Sequence, residues 1–268
     1  MKIFHILSLF PEQVECYFKS SIIFRAIKKG IIDIKYWQLR DFAIDKHSTV
    51  DDNPYGGGKG MVIKVDVVDR SLAEIKEYCH SEATARNPLG RQQAIRGNLK
   101  RVERSPDTSQ SEDAGSRPIC RDFAVTQYDN EKPYIILTSP KGKRFNQNIA
   151  KRLSKKKNIV IICGHYEGFD ARVERLVDEK ISIGDFVLSG GEIAAAAIID
   201  SVARLVPGVL SYGSLDEESF NDGKLEYPQY TRPEKFTPKS VSVGKLFVPK
   251  ILLTGNHGEI KKWREENR

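Results

Sequence analysis

Two short stretches of this 268-residue chain concentrate the residue types from which a ligand pocket is built. One is Cys163-Gly164-His165-Tyr166-Glu167-Gly168; the other is Ile183-Gly184-Asp185-Phe186-Val187-Leu188-Ser189-Gly190-Gly191-Glu192. Glycines in such runs let backbone N–H and C=O groups come close to a ligand, and the interspersed carboxylates and rings add charge and stacking surface. A further run, Gly56-Gly57-Gly58-Lys59-Gly60, imitates a phosphate loop. Gly60 stands where that loop requires Ser or Thr after Gly-Lys, so a Walker-type nucleotide site is excluded and an adaptable surface loop is expected over Arg40 to Gly60.

The elements around these turns read as α/β. Ile159 to Cys163 and Ile181 to Leu188 are β-rich runs, each ending in a glycine-bearing turn. Ser189 to Glu192 has the S-x-x-E spacing of a capping box ahead of an apolar helix, Ile193 to Val206. At the start of the chain, a strand over Ile3 to Phe10, one helix from Pro11 through Ala26 to Lys28-Lys29-Gly30, and a strand over Ile31 to Leu39 form a β-α-β unit. A further strand, Tyr134 to Thr138, a turn at Ser139-Pro140-Lys141-Gly142 and a helix through Arg152 complete a parallel sheet. Ligands in such sheets bind beyond the carboxyl ends of the strands.

Composition narrows the class. The net charge of +7 raises the prior for a polyanionic partner. The strongest basic segment, residues 141–157, carries eight Lys or Arg and no acid. Cys16, Cys79, Cys120 and Cys163 form no C-x-x-C pair and no metal-ligand spacing with the five histidines, so they read as free thiols, with no metal site. No apolar run is long enough for a membrane span, and a cytoplasmic location is expected. From about Tyr78 to Lys132 the periodicity dissolves into a basic and then Ser/Pro/Asp/Gly-rich stretch, read as a flexible insertion.

Seven motifs, in order, carry a family resemblance. They are Ser8-Leu9-Phe10-Pro11; Tyr55 to Gly58 with Gly60-Met61; Ser139-Pro140; Cys163 to Gly168; Ile183 to Glu192; Tyr230-Thr231-Arg232-Pro233; and Gly255-Asn256-His257. Outside the 78–132 insertion, the chain resembles bacterial tRNA (guanine-N1)-methyltransferase of the SPOUT superfamily. The resemblance implies S-adenosyl-L-methionine as methyl donor, guanosine 37 of tRNA as acceptor, a homodimer with shared active sites, and a parallel α/β sheet with a deep trefoil knot. It also implies a small, mostly helical C-terminal domain. The expected organisation is a knotted donor-binding domain over residues 1–210, a linker over 211–226 and a short tRNA-binding domain over 227–268.

By the same resemblance the donor loops fall on Ser139, Pro140, Gly164, Tyr166, Glu167, Gly168, Ile183, Gly184, Asp185, Phe186, Val187, Leu188, Gly190 and Gly191. The general base falls on Glu218, where the family has Asp, with Asp216 as runner-up, and the cation opposite the developing O6 charge falls on Arg204. Dependence on a divalent ion such as Mg2+ stays open. Family members continue beyond the helix Glu259 to Arg264, whereas this sequence stops at Arg268. Two alternatives stand beside this reading: another SPOUT RNA methyltransferase, such as one acting on ribosomal RNA, and a non-catalytic RNA- and donor-binding relative. A nicotinamide dehydrogenase is set aside for want of G-x-G-x-x-G with its acidic partner.

Overall fold

In the computed structural model, residues 1–86, 132–211, 213–214, 218–220, 224–240 and 244–268 are described. The chain divides into two compact units, Met1–Val209 and Leu210–Arg268. The first is built on five parallel strands: β1 (Lys2–Ser8), β2 (Ile32–Gln38), β5 (Tyr134–Arg144), β6 (Asn158–Ile162) and β7 (Glu179–Ser182). Their order across the sheet is β2-β1-β6-β5-β7, and every pairing is parallel. A two-stranded ribbon of β3 (Asp51–Asp52) and β4 (Val62–Ile63) stands apart from it.

The sheet is buried on both faces because alternate side chains feed two separate cores. Phe4, Ile6, Ile136, Ile159 and Ile161 pack with the helices Pro11–Tyr17, Ser21–Lys28, Gln147–Ser154 and Glu192–Ala203. Leu7, Ile135, Leu137, Val160 and Ile162 pack on the opposite face with Val67, Val68, Leu72 and Ile75 of the long helix Val65–Arg86. Each fully buried Ile or Leu in these layers contributes roughly 1.5–3 kcal/mol of apolar burial. Ala195, Ala203 and Ala150 let the helices Glu192–Ala203 and Gln147–Ser154 lie close to the sheet.

Several expectations change in detail. The first helix is two helices, Pro11–Tyr17 and Ser21–Lys28. The chain breaks at Ser20, which stands extended at the N-cap of the second helix, and at Ser21, which takes a φ of 75°. β5 does not stop at Thr138. Thr138 and Lys143 both pair with Ile181, so Ser139 to Gly142 bulge out of a strand that then resumes. β7 ends at Ser182 rather than Leu188, because the Ser182 hydroxyl donates to Gly184 O (2.9 Å) and accepts from Gly184 N–H (3.2 Å), turning the chain away. The helix Val65–Arg86 covers Tyr78 to Arg86, so the expected insertion does not begin at Tyr78; its remainder up to residue 131 lies outside the described residues.

The second unit contains, among its described residues, a ribbon of β8 (Lys235–Phe236) and β9 (Leu246–Phe247), a 3-10 turn Lys250–Leu253 and the helix His257–Glu266. Asn256 caps that helix, its side chain accepting from Glu259 N–H at 3.3 Å. Trp263 packs near Tyr230, and the Arg264 guanidinium lies 4.8 Å from the Tyr227 ring centre. Among the described residues this content is less helical than the resemblance implies, since many of them lie outside regular structure.

One buried histidine makes the fold sensitive to acid. His5, on β1, is fully buried; its Nδ1 accepts from Trp37 Nε1–H (3.2 Å) and its Nε2 faces Cys79 Sγ (3.4 Å). Burial first, then the charge of Lys35, lowers its pKa to about 4, against weaker opposing effects of Asp33 and Glu82. With the folded pKa below the unfolded one, the unfolded chain takes up the proton first, so stability falls as pH drops through about 6.5 towards 4. Urea midpoints are expected to decline already between about pH 6.5 and 5, above the usual carboxylate range. His5→Gln is expected to flatten that decline; an unchanged slope in the variant would assign it to other groups.

Candidate active site

The carboxyl ends of β5, β6 and β7 meet at a cavity of about 380 Å³, within the range of small-molecule sites. Three loops form it. The β5 bulge supplies Ser139 and Pro140; the loop after β6 supplies Gly164, Tyr166, Glu167 and Gly168. The chain after β7 supplies Ile183, Gly184, Phe186, Val187, Leu188, Gly190 and Gly191. Of the residues expected here, Asp185 alone is not on the wall. Its side chain is 87% exposed and faces Arg144 at 3.4 Å, because the turn set by Ser182 points it outward.

The loops interlock through backbone contacts that leave no room for side chains. A Cβ on Gly191 would lie 2.8 Å from both Cys163 Cα and Gly164 N, and the Gly191 N–H donates to Gly164 O at 2.8 Å. A Cβ on Gly142 would lie 2.5 Å from Ile181 N. The Thr138 hydroxyl joins β5 to the end of β6, donating to Ile162 O at 3.0 Å. Tyr166 holds a φ of 58° and presents a half-exposed ring at the cavity, a conformation that costs a non-glycine residue about 1 kcal/mol or more.

The glycine-rich loop is stitched to the same wall. Glu167 N–H donates to Met61 O (3.1 Å), Ile63 N–H to Gly168 O (2.9 Å) and Asp170 N–H to Ile63 O (3.0 Å). Gly60, at a φ of 86°, passes so near Glu167 that a Cβ would lie 2.7 Å from its Oε1. Asp170, also on the wall, is held ionised by Arg172, whose side-chain and backbone hydrogen bonds lower its pKa to about 2. Cys163 lies beneath the site and is no nucleophile: burial, with the Glu192 charge behind it, pushes its thiol well above the usual range.

Glu192 does not complete a capping box. The helix starts at Glu192 with Gly191 as N-cap and no side-chain cap bond. The carboxylate, 3% exposed, instead accepts from the Ser8 hydroxyl at the end of β1 and bonds His165 Nε2 at 2.8 Å. Phe10 packs edge-on against the His165 ring, 5.0 Å between centres. This cluster was not legible as such in the sequence. Its one local signal, the S-x-x-E spacing, points to the wrong partner, and Ser8 lies 184 residues away.

The two residues expected to act on the acceptor fall in different units. Arg204 follows the last turn of the helix Glu192–Ala203. Thirteen residue steps at about 1.5 Å each put it roughly 20 Å along the helix from Gly191, and it does not line the cavity. Glu218 belongs to the second unit, and Asp216 lies outside the described residues. The basic run 141–157 is also divided. Lys141 is on the cavity wall, whereas Lys155, Lys156 and Lys157 lead into the amino end of β6. A helix, Gln147–Ser154, carries the chain from one edge of the sheet to the other.

Truncating the buried carboxylate tests the cluster. Glu192→Ala leaves Ser8 and His165 without their acceptor and is expected to lower stability by about 1–3 kcal/mol, whereas Glu192→Gln, which keeps an acceptor oxygen, is expected to cost less. Denaturant unfolding of the two variants decides this; equal losses would mean that packing rather than hydrogen bonding holds the position.

Comparison with known proteins places the chain. The family model described as tRNA (Guanine-1)-methyltransferase TrmD matches residues 1–101 and 117–268, so the expected gap over 78–132 narrows to 102–116. A tRNA (guanine-N(1)-)-methyltransferase of Clostridium novyi is 43% identical over 260 residues, covering 97% of this chain and 83% of the relative. One of Carboxydothermus hydrogenoformans is 44% identical over 263 residues, covering 97% of this chain and 80% of the relative. The crystal structure of tRNA (m1G37) methyltransferase from Aquifex aeolicus superimposes with a TM-score of 0.63 at 34% identity, covering 98% of this chain and 87% of that one. Matched along nearly its whole length in sequence and in fold, the chain belongs to the tRNA (guanine-N1)-methyltransferase family, with the parallel SPOUT-type α/β sheet of that family.

Proposed function

We propose that the protein transfers a methyl group from S-adenosyl-L-methionine to N1 of guanosine 37 in tRNA. The observation that carries the reading is the cavity of three glycine-bearing loops at the carboxyl edge of the parallel sheet, in a chain of this family. The loops fit a donor read mainly by backbone groups. Gly164, Gly190 and Gly191 let the backbone of the wall draw together, since a Cβ on any of them would meet protein atoms at 3.0 Å or less, and Tyr166 and Phe186 offer rings at the mouth. The donor, when bound, supplies an electrophilic methyl carbon.

The remaining chemistry belongs to the chain's own residues. Guanine N1 carries a proton and becomes nucleophilic only when that proton leaves, as negative charge builds on O6. Glu218 takes the proton and the Arg204 guanidinium stabilises O6. Arg204 stands far along the helix from its own cavity, which favours a homodimer in which one subunit's cavity is completed by residues of the other. Backbone passing this closely between the loops after β5, β6 and β7 also favours a chain threaded as a deep trefoil knot. The domain reading is a donor-binding domain over residues 1–210, a linker over 211–226 carrying the base, and a tRNA-binding domain over 227–268. A cytoplasmic location follows from the substrate, and among the described residues no helix is long and apolar enough to cross a membrane.

The test is transfer of labelled methyl from S-adenosyl-L-methionine to a tRNA transcript with guanosine at position 37, beside the same transcript with adenosine there. Transfer confined to the guanosine transcript is expected. Glu218→Gln is expected to lower the rate by about 10²–10⁴ and Arg204→Ala by about 10²–10³. Full activity in Glu218→Gln, with loss in Asp216→Asn, would move the base to Asp216; binding of donor and tRNA with no transfer in the wild type would leave only a binding protein.

A further inference from the structure

We propose that Glu192 is a positioning residue of the donor site: acting through the His165 ring, it holds Tyr166 at the mouth of the cavity and so sets donor affinity rather than the rate of transfer. The proposal rests on the reading above for the identity of the donor. Glu192 does not itself line the cavity, but both residues it meets on that side, His165 and Gly190, do. His165 Nε2 lies 2.8 Å from Oε1, and the His165 side chain is 12% exposed. Gly190 runs so near the pair that a Cβ there would stand 2.3 Å from Glu192 Oε2 and 2.5 Å from His165 Nε2. Carboxylate and ring therefore support the wall from behind, under the loop after β6 and the loop after β7 together.

The loop after β6 needs such a support. Tyr166 sits in the left-handed region at a φ of 58° with its ring half-exposed, and a side-chain-bearing residue stays there only where its neighbours impose it. On one side, Glu167 N–H is fixed to Met61 O at 3.1 Å. On the other side is His165, whose carbonyl accepts from Gly168 N–H at 3.0 Å and closes the turn around Tyr166. Its ring meets Phe10 edge-on, 5.0 Å between centres, and Tyr166 edge-on at 6.3 Å. Among the described residues, the bond to Glu192 is the only hydrogen bond of the His165 side chain.

Stability by itself is a poor reason for a carboxylate at this place. Withdrawing it from water costs free energy that its partners offset only in part, and a well-packed apolar side chain serves a buried position as well or better. What the carboxylate adds is direction. Its Oε1 takes Ser8, at the end of β1, and His165 at once, so the ring is set relative to the sheet. Ser8 is anchored in turn, its hydroxyl oxygen accepting from Phe10 N–H at 2.8 Å. A loop already held in its binding shape spares the ligand the entropy of ordering it, and that saving appears as affinity. The chain of bonds includes neither Arg204 nor Glu218, so the step at guanine N1 keeps its rate once the donor is bound.

The experiment compares the full chain with Glu192→Gln, which keeps the shape and removes the charge, and with His165→Phe, which keeps a ring beside Phe10 and Tyr166 and removes the bond. Ile23→Val, a truncation of a buried residue in the helix Ser21–Lys28 away from the cavity lining, is the variant weakened elsewhere. Donor binding is measured by calorimetry with S-adenosyl-L-methionine and with its neutral thioether product. Steady-state transfer to tRNA is followed alongside, as is amide exchange at residues 163–168 without ligand. Expected in both site variants is a rise in Kd of about fivefold to tenfold for the two ligands alike, with an equal rise in donor KM and kcat within about twofold. Exchange over residues 163–168 is expected to quicken relative to β1, and Glu192→Gln added to His165→Phe is expected to weaken binding no further. Ile23→Val is expected to lower the urea midpoint and leave the donor Kd alone.

Wild-type Kd in either site variant overturns the proposal, as does a loss confined to the sulfonium donor, which would assign the carboxylate a direct electrostatic role. Additive losses in the double variant, or a fall in kcat at unchanged KM, overturn it as well. A wild type that binds no S-adenosyl-L-methionine, with exchange over residues 163–168 still faster in Glu192→Gln, counts against the donor reading and for the hold of Glu192 on the loop.

Discussion

The structure depends on how closely backbone passes backbone at the carboxyl edge of the sheet. Gly142 lies against the main chain of Ile181, and Gly191 against that of Cys163 and Gly164. At these distances even a methyl group would displace a neighbouring strand end or loop, and a packed interior does not give way cheaply. The cavity is therefore less a gap between side chains than the space left where three loops are drawn together. Its walls present peptide groups, which are already aligned by the strands and cost little further entropy to hold.

A second constraint is electrostatic. Placing Glu192 beneath the cavity, almost out of contact with water, demands that its carboxylate be satisfied, and Ser8 and His165 do so. Those bonds join β1 to the start of the helix Glu192–Ala203 and to the loop after β6, elements that are far apart in the chain. The position at the first turn of a helix also favours the negative charge. Burial raises the thiol pKa of Cys163, and the charge of Glu192 adds to the same effect, so the carboxylate that ties the site together also helps to keep this cysteine unreactive.

Parallel topology sorts the positive charge of the first unit between two edges. Segments that look contiguous in sequence are separated by a helix that traverses the sheet, and lysines distant in sequence become neighbours because every strand starts on the same side. Lys141 stands at the cavity, whereas Lys155 to Lys157 share the other edge with Lys28, Lys29 and the buried Lys2.

Much was legible without coordinates, because the signals are short-range. β-rich apolar runs marked the strands, and the glycine-bearing turns after β6 and β7 marked the loops that line the cavity. The ordered motifs were enough to suggest the family. Errors gathered where two local options compete. Ser182 ends a strand that its β-branched neighbours would continue, Ser20 and Ser21 divide a helix that its apolar spacing would leave whole, and Ser139 to Gly142 form a bulge rather than a terminal turn. By itself the sequence determined the class of fold, the loops of the site and the basic character of the chain. Only the tertiary structure decided that Glu192 bonds Ser8 rather than capping its own helix, that Asp185 turns outward, and that the basic run is split between opposite edges. Those outcomes depend on which groups meet across the sheet, and a buried carboxylate takes its partners from whatever the fold brings within hydrogen-bonding distance.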